Sequence, residues 1–282
     1  MAIVEKDGFK FYDSLNSEYI VIESDRINSY LDYICNNNIK SIALNNFFYK
    51  IKDLDFLNKC VGIEKVNISS GYVNDYSGLY EQSMLQTLYL DEPRGKIDLA
   101  QFPRLKELSI ESNKYVHGIE ECKGLKILRL WKYKPKSNNL EGISRLTQIE
   151  ELVLTQSQIS SLKGCEELYS LKKLELNYIN KLEMIDGIDK NASTLKSLRF
   201  ESCKNIKNHN YVAYLKELEL LAFDNCGNIS SVRFIRELPK LKSFIFMNTN
   251  VVDGDLSPCI GLEYVVFLDK RHYSHKSVDF KK

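Results

Sequence analysis

The sequence lacks paired cysteines. Its seven cysteines are odd in number and scattered, and none forms a C-x-x-C pair. They are Cys35, Cys60, Cys122, Cys165, Cys203, Cys226 and Cys259. We expect neither a disulfide framework nor a structural zinc site, because both need cysteines at short, recurring spacings. All seven thiols are therefore predicted to be reduced in the native protein.

The sequence also has few of the residues that build catalytic centres. Two of its four histidines, His272 and His275, stand in the C-terminal tail without cysteines or carboxylates at metal-ligand spacing. Glycine-rich phosphate loops, the G-x-S-x-G elbow and the H-E-x-x-H zinc motif are absent. We therefore expect no enzymatic activity, no cofactor and no metal site.

Two more absences bear on partners and location. No apolar run approaches the ~20 residues that span a bilayer. The net charge of +1 gives no general attraction to nucleic acid or to an anionic membrane. The first seven residues become acidic and polar too early for a secretory signal, so we expect a cytoplasmic protein.

What the chain does contain is a repeated apolar spacing. The pattern is clearest as Ile149-x-x-Leu152-x-Leu154 and recurs every 20–24 residues, in eleven copies. The copies begin at Ile39, Ile63, Leu85, Leu105, Leu125, Ile149, Leu171, Leu195, Leu218, Leu241 and Leu262. Eleven copies in register indicate a solenoid, in which each unit packs only against its neighbours.

This spacing resembles the leucine-rich repeat (LRR) consensus L-x-x-L-x-L-x-x-N/C-x-L, and the short period resembles its compact internalin-like subclass. The resemblance implies an α/β solenoid, an LRR horseshoe with one parallel β-sheet on the concave face and short helical or 3₁₀ segments on the convex face. The ninth slot departs from the family's Asn in several copies, such as Phe47, Pro93 and Tyr133. Cys203 and Cys226 occupy that slot in successive repeats, so we expect them to stack in the interior.

Three segments follow from the pattern. Residues 39–269 form the array of about eleven repeats. Residues 1–38 are predicted to be an N-terminal cap, with a hairpin that turns at residues 14–17 and a helix that Ser24 or Asp25 caps. Residues 270–282 form a basic tail.

Within each repeat, the fourth and sixth slots should face the core, and the third, fifth and seventh slots the concave surface. Those surface slots hold seven acidic and four basic residues. In the last three repeats they are mostly apolar, which predicts a cover formed either by the tail or by a partner. The apolar residues are Leu220, Ala222, Ile245, Met247, Val266 and Leu268.

The acidic slots surround Trp131, the single tryptophan of the chain. Aromatic and arginine side chains dominate interface energetics when they lie centrally, so we predict a partner-binding surface here. It comprises Tyr89, Asp91, Glu107, Glu111, Arg129, Trp131, Tyr133, Glu151, Glu175, Arg199, Glu201 and Asp224. The alternative is that Trp131 folds back on the loop at residues 132–139 and has only a packing role.

The resemblance implies a non-catalytic module that binds a protein partner through this face. A finer hypothesis, by analogy of fold and charge, is a bacterial cytosolic immunity protein that neutralises a basic toxin or nuclease. The alternative is an effector or structural scaffold that organises partners without inhibiting an enzyme. Neither nucleic acid nor membrane is an expected partner, and the sequence does not indicate an oligomeric state.

Overall fold

The computed structural model describes residues 3–14 and 17–280. Residues 15 and 16, where the predicted hairpin turn falls, and residues 281 and 282 of the tail lie outside this part. The chain divides into two compact units, residues 1–125 and residues 126–282.

Unit 1 begins with antiparallel strands. β1 (Val4–Lys6) pairs with β2 (Phe9–Ser14), β2 pairs with β3 (Ser17–Val21), and helix α1 (Ile27–Asn36) follows. The helix lacks the predicted cap, because Arg26 occupies the N-cap position and makes no side-chain capping hydrogen bond. The Ser24 hydroxyl instead donates to the Phe48 carbonyl at 3.1 Å. Tyr30, Leu31 and Ile34 form the buried side of α1.

The four repeats of unit 1 add parallel strands beside β3, in the order β3-β4-β5-β6-β8. These strands are β4 (Ser41–Asn45), β5 (Lys65–Ser69), β6 (Thr87–Leu90) and β8 (Glu107–Glu111). A separate two-stranded sheet joins β7 (Ile97–Asp98) to β9 (Val116–His117). The return segments contain 3₁₀ helices η1 (Asp55–Lys59), η2 (Ser77–Glu81), η3 (Leu99–Gln101) and η4 (Ile119–Glu121).

Unit 2 is a parallel sheet in the order β10-β11-β12-β13-β14-β16-β18. Its strands are β10 (Ile127–Trp131), β11 (Glu151–Thr155), β12 (Lys173–Asn177), β13 (Ser197–Glu201), β14 (Leu220–Asp224), β16 (Ser243–Ile245) and β18 (Tyr264–Val266). β15 (Gly227–Ile229) and β17 (Thr249–Val251) pair separately. The 3₁₀ helices are η5 (Glu141–Ile143), η6 (Cys165–Glu167), η7 (Ile188–Asn191), η8 (His209–Tyr214), η9 (Arg233–Glu237), η10 (Ser257–Cys259) and η11 (Ser277–Phe280).

The core confirms the predicted register. All eleven repeat strands are present, and within each unit they pair in the order that the repeats predict. The fourth and sixth slots face inward, so that Leu152, Leu154, Leu174, Leu176 and Leu198 are fully buried. Burying one such leucine contributes up to about 2–3 kcal/mol, an upper estimate because the unfolded chain is already partly compact. The fold is therefore the leucine-rich-repeat solenoid, with 3₁₀ helices in its return segments.

Each strand of β10–β14 in unit 2 ends in the same backbone turn. The eighth slot has positive φ in every one, between 51° and 57°, although its residue is never glycine. These residues are Lys132, Gln156, Tyr178, Ser202 and Asn225. The turn directs the ninth slot back into the core, where its side chain can bond to the neighbouring repeat.

Cysteine and threonine fill the ninth slot in place of asparagine. The Cys203 thiol donates to the Leu176 carbonyl at 3.2 Å, and the Cys226 thiol donates to the Phe200 carbonyl at 3.4 Å. The Thr249 hydroxyl donates to the Phe223 carbonyl and accepts from the Cys226 amide at 2.9 Å. Burial raises the pKa of Cys203 to about 11 and that of Cys226 to about 12. These thiols stabilise the stack of repeats and are poor nucleophiles.

The seven cysteines are free thiols. Cys35, at the exposed C-terminal end of α1, lies 4.0 Å from Cys60, measured between the two sulfur atoms. Among the described helices, none is long and apolar enough to cross a membrane.

Candidate partner-binding surface

The outer face of unit 2, meaning the side of its sheet opposite the core, carries the third, fifth and seventh slots of each repeat. Strand register aligns these slots into three rows. The seventh-slot row runs from Trp131 through Thr155, Asn177 and Glu201 to Asp224. Its side chains are half-buried or exposed, so the row can contact a partner.

The charged residues of the outer face pair with one another. The Arg129 guanidinium lies 2.8 Å from the Glu151 carboxylate, which also lies 3.7 Å from the Lys173 ammonium group. Lys173 is 3.2 Å from Glu175, and Glu175 is 3.9 Å from Arg199. Four of the predicted site residues, Arg129, Glu151, Glu175 and Arg199, therefore belong to one ion-pair network. This network pairs two of the four acids on the outer face of unit 2, Glu151 and Glu175, with basic side chains.

Trp131 stands at one end of the seventh-slot row and keeps 37% of its surface exposed. It lies beside Thr155 in the strand register. The buried part of the indole fixes its position, and the exposed part is available to contact a partner.

Glu201 and Asp224 occupy the other end of that row. The Tyr178 hydroxyl donates to the Glu201 carboxylate at 2.5 Å, and the Met247 amide donates to the Asp224 carboxylate at 3.1 Å. Partial burial raises the pKa of Asp224. Tyr178 was not predicted as a site residue, because its place beside Glu201 depends on the left-handed turn at the eighth slot.

Tyr133 does not belong to the surface, contrary to the prediction. It is only 8% exposed, and its backbone N–H donates to the Ser157 hydroxyl at 3.2 Å. Tyr133 is a ninth-slot residue, and the turn at Lys132 directs that slot inward. The same eighth-slot turn directs Cys203 and Cys226 into the core.

In unit 1 the outer face is covered near the N-terminus. Tyr12, Tyr19, Val21 and Ala43 form a buried cluster there, and Tyr89 packs against it. The Tyr12 and Tyr19 rings stack with their centroids 5.4 Å apart. These two tyrosines precede the repeats, so the repeat pattern gave no reason to place them on this face.

The predicted acids of unit 1 differ in exposure. Glu107 and Glu111 are half-buried, whereas Asp91 is exposed at the rim of two cavities. Atoms around the Asp91 carboxylate displace enough water to raise its pKa. Lys65, the basic residue of the outer slots in this unit, donates to the Ser17 hydroxyl at 2.6 Å.

The apolar end of the array is covered only in part. Tyr273 of the tail packs edge-on against the core rings of Phe246 and Phe267, with centroid distances of 6.2 and 5.7 Å. It therefore covers the end of the core and not the outer face. Leu268 remains 49% exposed, and a cavity of about 530 Å³ lies between the tail residue Phe280 and β18.

The described residues contain no group of three or more His, Cys, Asp or Glu side chains arranged to hold a metal ion. In the tail, the His272 ring lies 2.9 Å from the Val251 carbonyl.

The BspA type leucine rich repeat region family matches residues 4–121 and 130–253, in six copies. Among curated protein sequences, none matches the chain.

Solved structures share the fold at low identity. A leucine-rich-repeat protein of Leptospira interrogans aligns with a TM-score of 0.55 and 20% identity, over 81% of this chain and 66% of that chain. TLR13, from a TLR13–ssRNA13 complex, aligns with a TM-score of 0.60 and 18% identity, over 87% of this chain and 38% of that chain.

An internalin, InlF, of Listeria monocytogenes aligns with a TM-score of 0.47 and 18% identity, over 82% of this chain and 86% of that chain. The chain thus spans just under two thirds of the Leptospira protein and less than two fifths of TLR13. The family match covers most of the sequence, and the repeats it describes are the ones seen in both units. The chain belongs to the BspA-type leucine-rich-repeat family.

Proposed function

We propose that this chain is a non-catalytic module that binds a protein partner on the outer face of its sheet. The observation that carries the proposal is the seventh-slot row of unit 2, with the partly exposed Trp131 at its end. Stacked repeats present extended surfaces of this kind for binding. In unit 2 the proposed contact residues are Trp131, Arg129, Glu151, Glu175, Arg199, Glu201 and Asp224. Unit 1 carries a patch of its own, for which the proposed contact residues are Tyr89, Asp91, Glu107 and Glu111.

The finer proposal is that the partner is basic. The outer slots of unit 2 hold four acids (Glu151, Glu175, Glu201, Asp224) and three bases (Arg129, Lys173, Arg199), an excess of one negative charge. The outer slots of unit 1 hold three acids (Asp91, Glu107, Glu111) and one base (Lys65), an excess of two negative charges. This balance favours a basic protein over the RNA named with TLR13, because nucleic acid binding needs an excess of cations.

The first experiment tests the binding face. A partner is captured on the immobilised chain from the native source, and its affinity is measured for the natural chain and for Trp131→Ala. We expect a loss of about 2–4 kcal/mol of binding free energy. Tyr169→Ala is the matched control, because Tyr169 is an exposed aromatic residue outside the sheet.

The thermal stability of both variants is measured alongside. Equal affinities for Trp131→Ala and the natural chain would contradict the proposal. So would a loss of affinity that only accompanies unfolding, because Trp131 would then have a packing role alone.

A second experiment separates an inhibitor from a scaffold. The captured partner's activity is titrated with the chain at low and high salt. A toxin inhibitor of the immunity-protein type removes activity at one chain per partner, and added salt weakens it because the attraction between charges is screened. Unchanged activity in a stable complex would favour the scaffold. We also propose a cytoplasmic setting, in which the seven thiols stay reduced.

A further inference from the structure

A cavity of about 340 Å³ opens on the outer face of unit 1. Tyr12 and Ala43 of the buried cluster contribute to its lining, together with Asn67, Phe47 and Asp91. Phe47 is 82% exposed, the most exposed of the large apolar side chains in the described residues. The cavity lies within the volume range of small-ligand sites, which starts at about 300 Å³.

Most polar groups around the cavity already have partners. The Asn67 amide donates to the Tyr12 hydroxyl at 2.6 Å, and the Asn45 side chain accepts from the Phe47 amide at 3.0 Å. Outside the cavity, Lys65 bonds to Ser17.

Asp91 is different. It is the one charged residue that lines the cavity, and no donor or cation among the described residues contacts its carboxylate. Its neighbour Glu92 is paired with Arg94 at 3.1 Å. An acid without a counter-ion at the mouth of a mostly apolar cavity is a place where a bound cation is favourable.

The aromatic rings specify the kind of cation. Tyr12 and Phe47 line the cavity, and aromatic rings attract ammonium and guanidinium groups and also pack against aliphatic chains. A hydrated metal ion would gain little from such walls. A cation carried on an aliphatic chain satisfies both the carboxylate and the rings.

We propose that this cavity is a docking pocket for a lysine or arginine side chain of a protein partner, with Asp91 as the counter-ion. The inference rests on the proposed function, because it takes the occupant from a protein. It goes further by naming the pocket and the chemistry that the pocket selects. The occupant follows from charge complementarity with Asp91, the one acid among the described residues that line the cavity.

The test uses small probes and needs no partner. N-acetyl-arginine methylamide and N-acetyl-lysine methylamide are titrated against the full chain, and the Asn67 side-chain amide is followed by ¹H–¹⁵N NMR. We expect a saturable shift with at least one probe, at about millimolar affinity. The uncharged analogue N-acetyl-citrulline methylamide should bind roughly tenfold more weakly, because it cannot pair with a carboxylate.

Three variants test where the cation binds. Asp91→Asn should weaken the charged probe by roughly tenfold, to the level of citrulline. Glu92→Gln is the control, because it removes an equal charge from the next residue. Glu92 lines the smaller neighbouring cavity and not this one, so the affinity should stay within about twofold. Phe47→Ala should also weaken binding without loss of stability, since the ring is mostly exposed.

Absence of a shift at Asn67 with both charged probes would overturn the inference. Equal binding of citrulline, or a larger effect of Glu92→Gln than of Asp91→Asn, would overturn it as well. Failure of the proposed function looks different, because the probes would then bind while no protein partner is found.

Discussion

His209 shows how one buried side chain couples this fold to pH. Its ring is 6% exposed and lies edge-on to Phe223, with the ring centroids 5.2 Å apart. Burial lowers the pKa of His209 to about 4, because the charged ring would lose its water without gaining a counter-charge. The native state therefore keeps this histidine neutral well below the pH at which an unfolded chain protonates it.

The sign of the pH effect follows from this difference. Between pH 6.5 and 4 the unfolded chain binds a proton at His209 that the native chain does not, so stability is lost as pH falls. We expect His209 to account for about 2 kcal/mol of the loss between pH 7 and pH 4.5. Urea unfolding of the natural chain and of His209→Gln at both pH values measures this contribution to the loss of stability.

His117→Gln is the control, because His117 is exposed. The His209 variant should lose less stability on acidification than the natural chain, and the control should match the natural chain. Identical pH dependence in all three proteins would contradict the role assigned to His209.

Single residues also show what sequence reasoning can reach. The inward leucines were predictable because strand alternation and the eleven-fold register both place them. The aromatic character of Tyr133 predicts a surface position, but its ninth slot is an inward position and the residue is buried. Tyr12 and Tyr19 cover the outer face from outside the repeats, where no pattern applies.

At the scale of the element, the recurring left-handed turn organises unit 2. Each turn residue donates its N–H to the seventh-slot carbonyl of the next repeat, as Gln156 does to Asn177 at 2.9 Å and Tyr178 to Glu201 at 2.7 Å. These turns could not be predicted from the sequence, because positive φ is usually marked by glycine and none of the five residues is glycine. The conformation is held by bonds between repeats, which local propensity does not contain.

Substitution at Gln156, where φ is 53°, tests the turn. Gln156→Gly should leave stability unchanged or raise it slightly, because relief of left-handed strain offsets the added chain entropy. Gln156→Val should lower it by about 1–2 kcal/mol, since a β-branched residue tolerates this region poorly.

The same two changes at Gln148 give the control, because Gln148 is exposed and lacks positive φ. At position 148 the glycine variant should be less stable than the valine variant, or equally stable. Equal responses at the two positions in thermal unfolding would contradict the account of the turn.

The contact between α1 and η1 carries a prediction about thiols. Cys35 is exposed and its sulfur lies 4.0 Å from that of Cys60, about twice the length of a disulfide bond. On treatment with oxidised glutathione, Cys35 should form a mixed disulfide, from which Cys60 displaces reduced glutathione. Burial raises the pKa of Cys60 to about 11, so the second step should be slow at neutral pH.

Peptide mapping under non-reducing conditions identifies the bond. Cys35–Cys60 should be the first intramolecular disulfide, and Cys35→Ser should prevent it. A first disulfide between any other pair would contradict this placement of the thiols. A disulfide in the protein before oxidation would contradict the predicted reduced state.

On the scale of the whole chain, charge pairing changes the interpretation of the sequence. In unit 2 the second slots form another ladder, in which Glu150 lies 3.1 Å from Lys126 and 2.6 Å from Lys172. Glu219 is paired similarly with Lys242 at 2.7 Å. A count of acids predicted a negative face, but a count contains no distances between side chains.

The family and the repeat architecture were thus predictable from spacing, and the candidate surface only in part. Spacing placed the seventh-slot row on the outer face because alternation is a local property of strands. The ion-pair network, the inward ninth slot and the Asp91 cavity depend on neighbouring repeats. These features required the folded chain.

The measurement that bears most directly on the proposed function is site-specific photo-crosslinking of the partner complex. A benzophenone amino acid replaces Thr155, in the seventh-slot row beside Trp131, or Tyr169, which is exposed on a return segment. Both variants are first shown to bind the partner. We predict crosslinks to the partner from position 155 and none from position 169. Crosslinks from position 169 alone, or from neither position in an intact complex, would contradict binding on the outer face of the sheet.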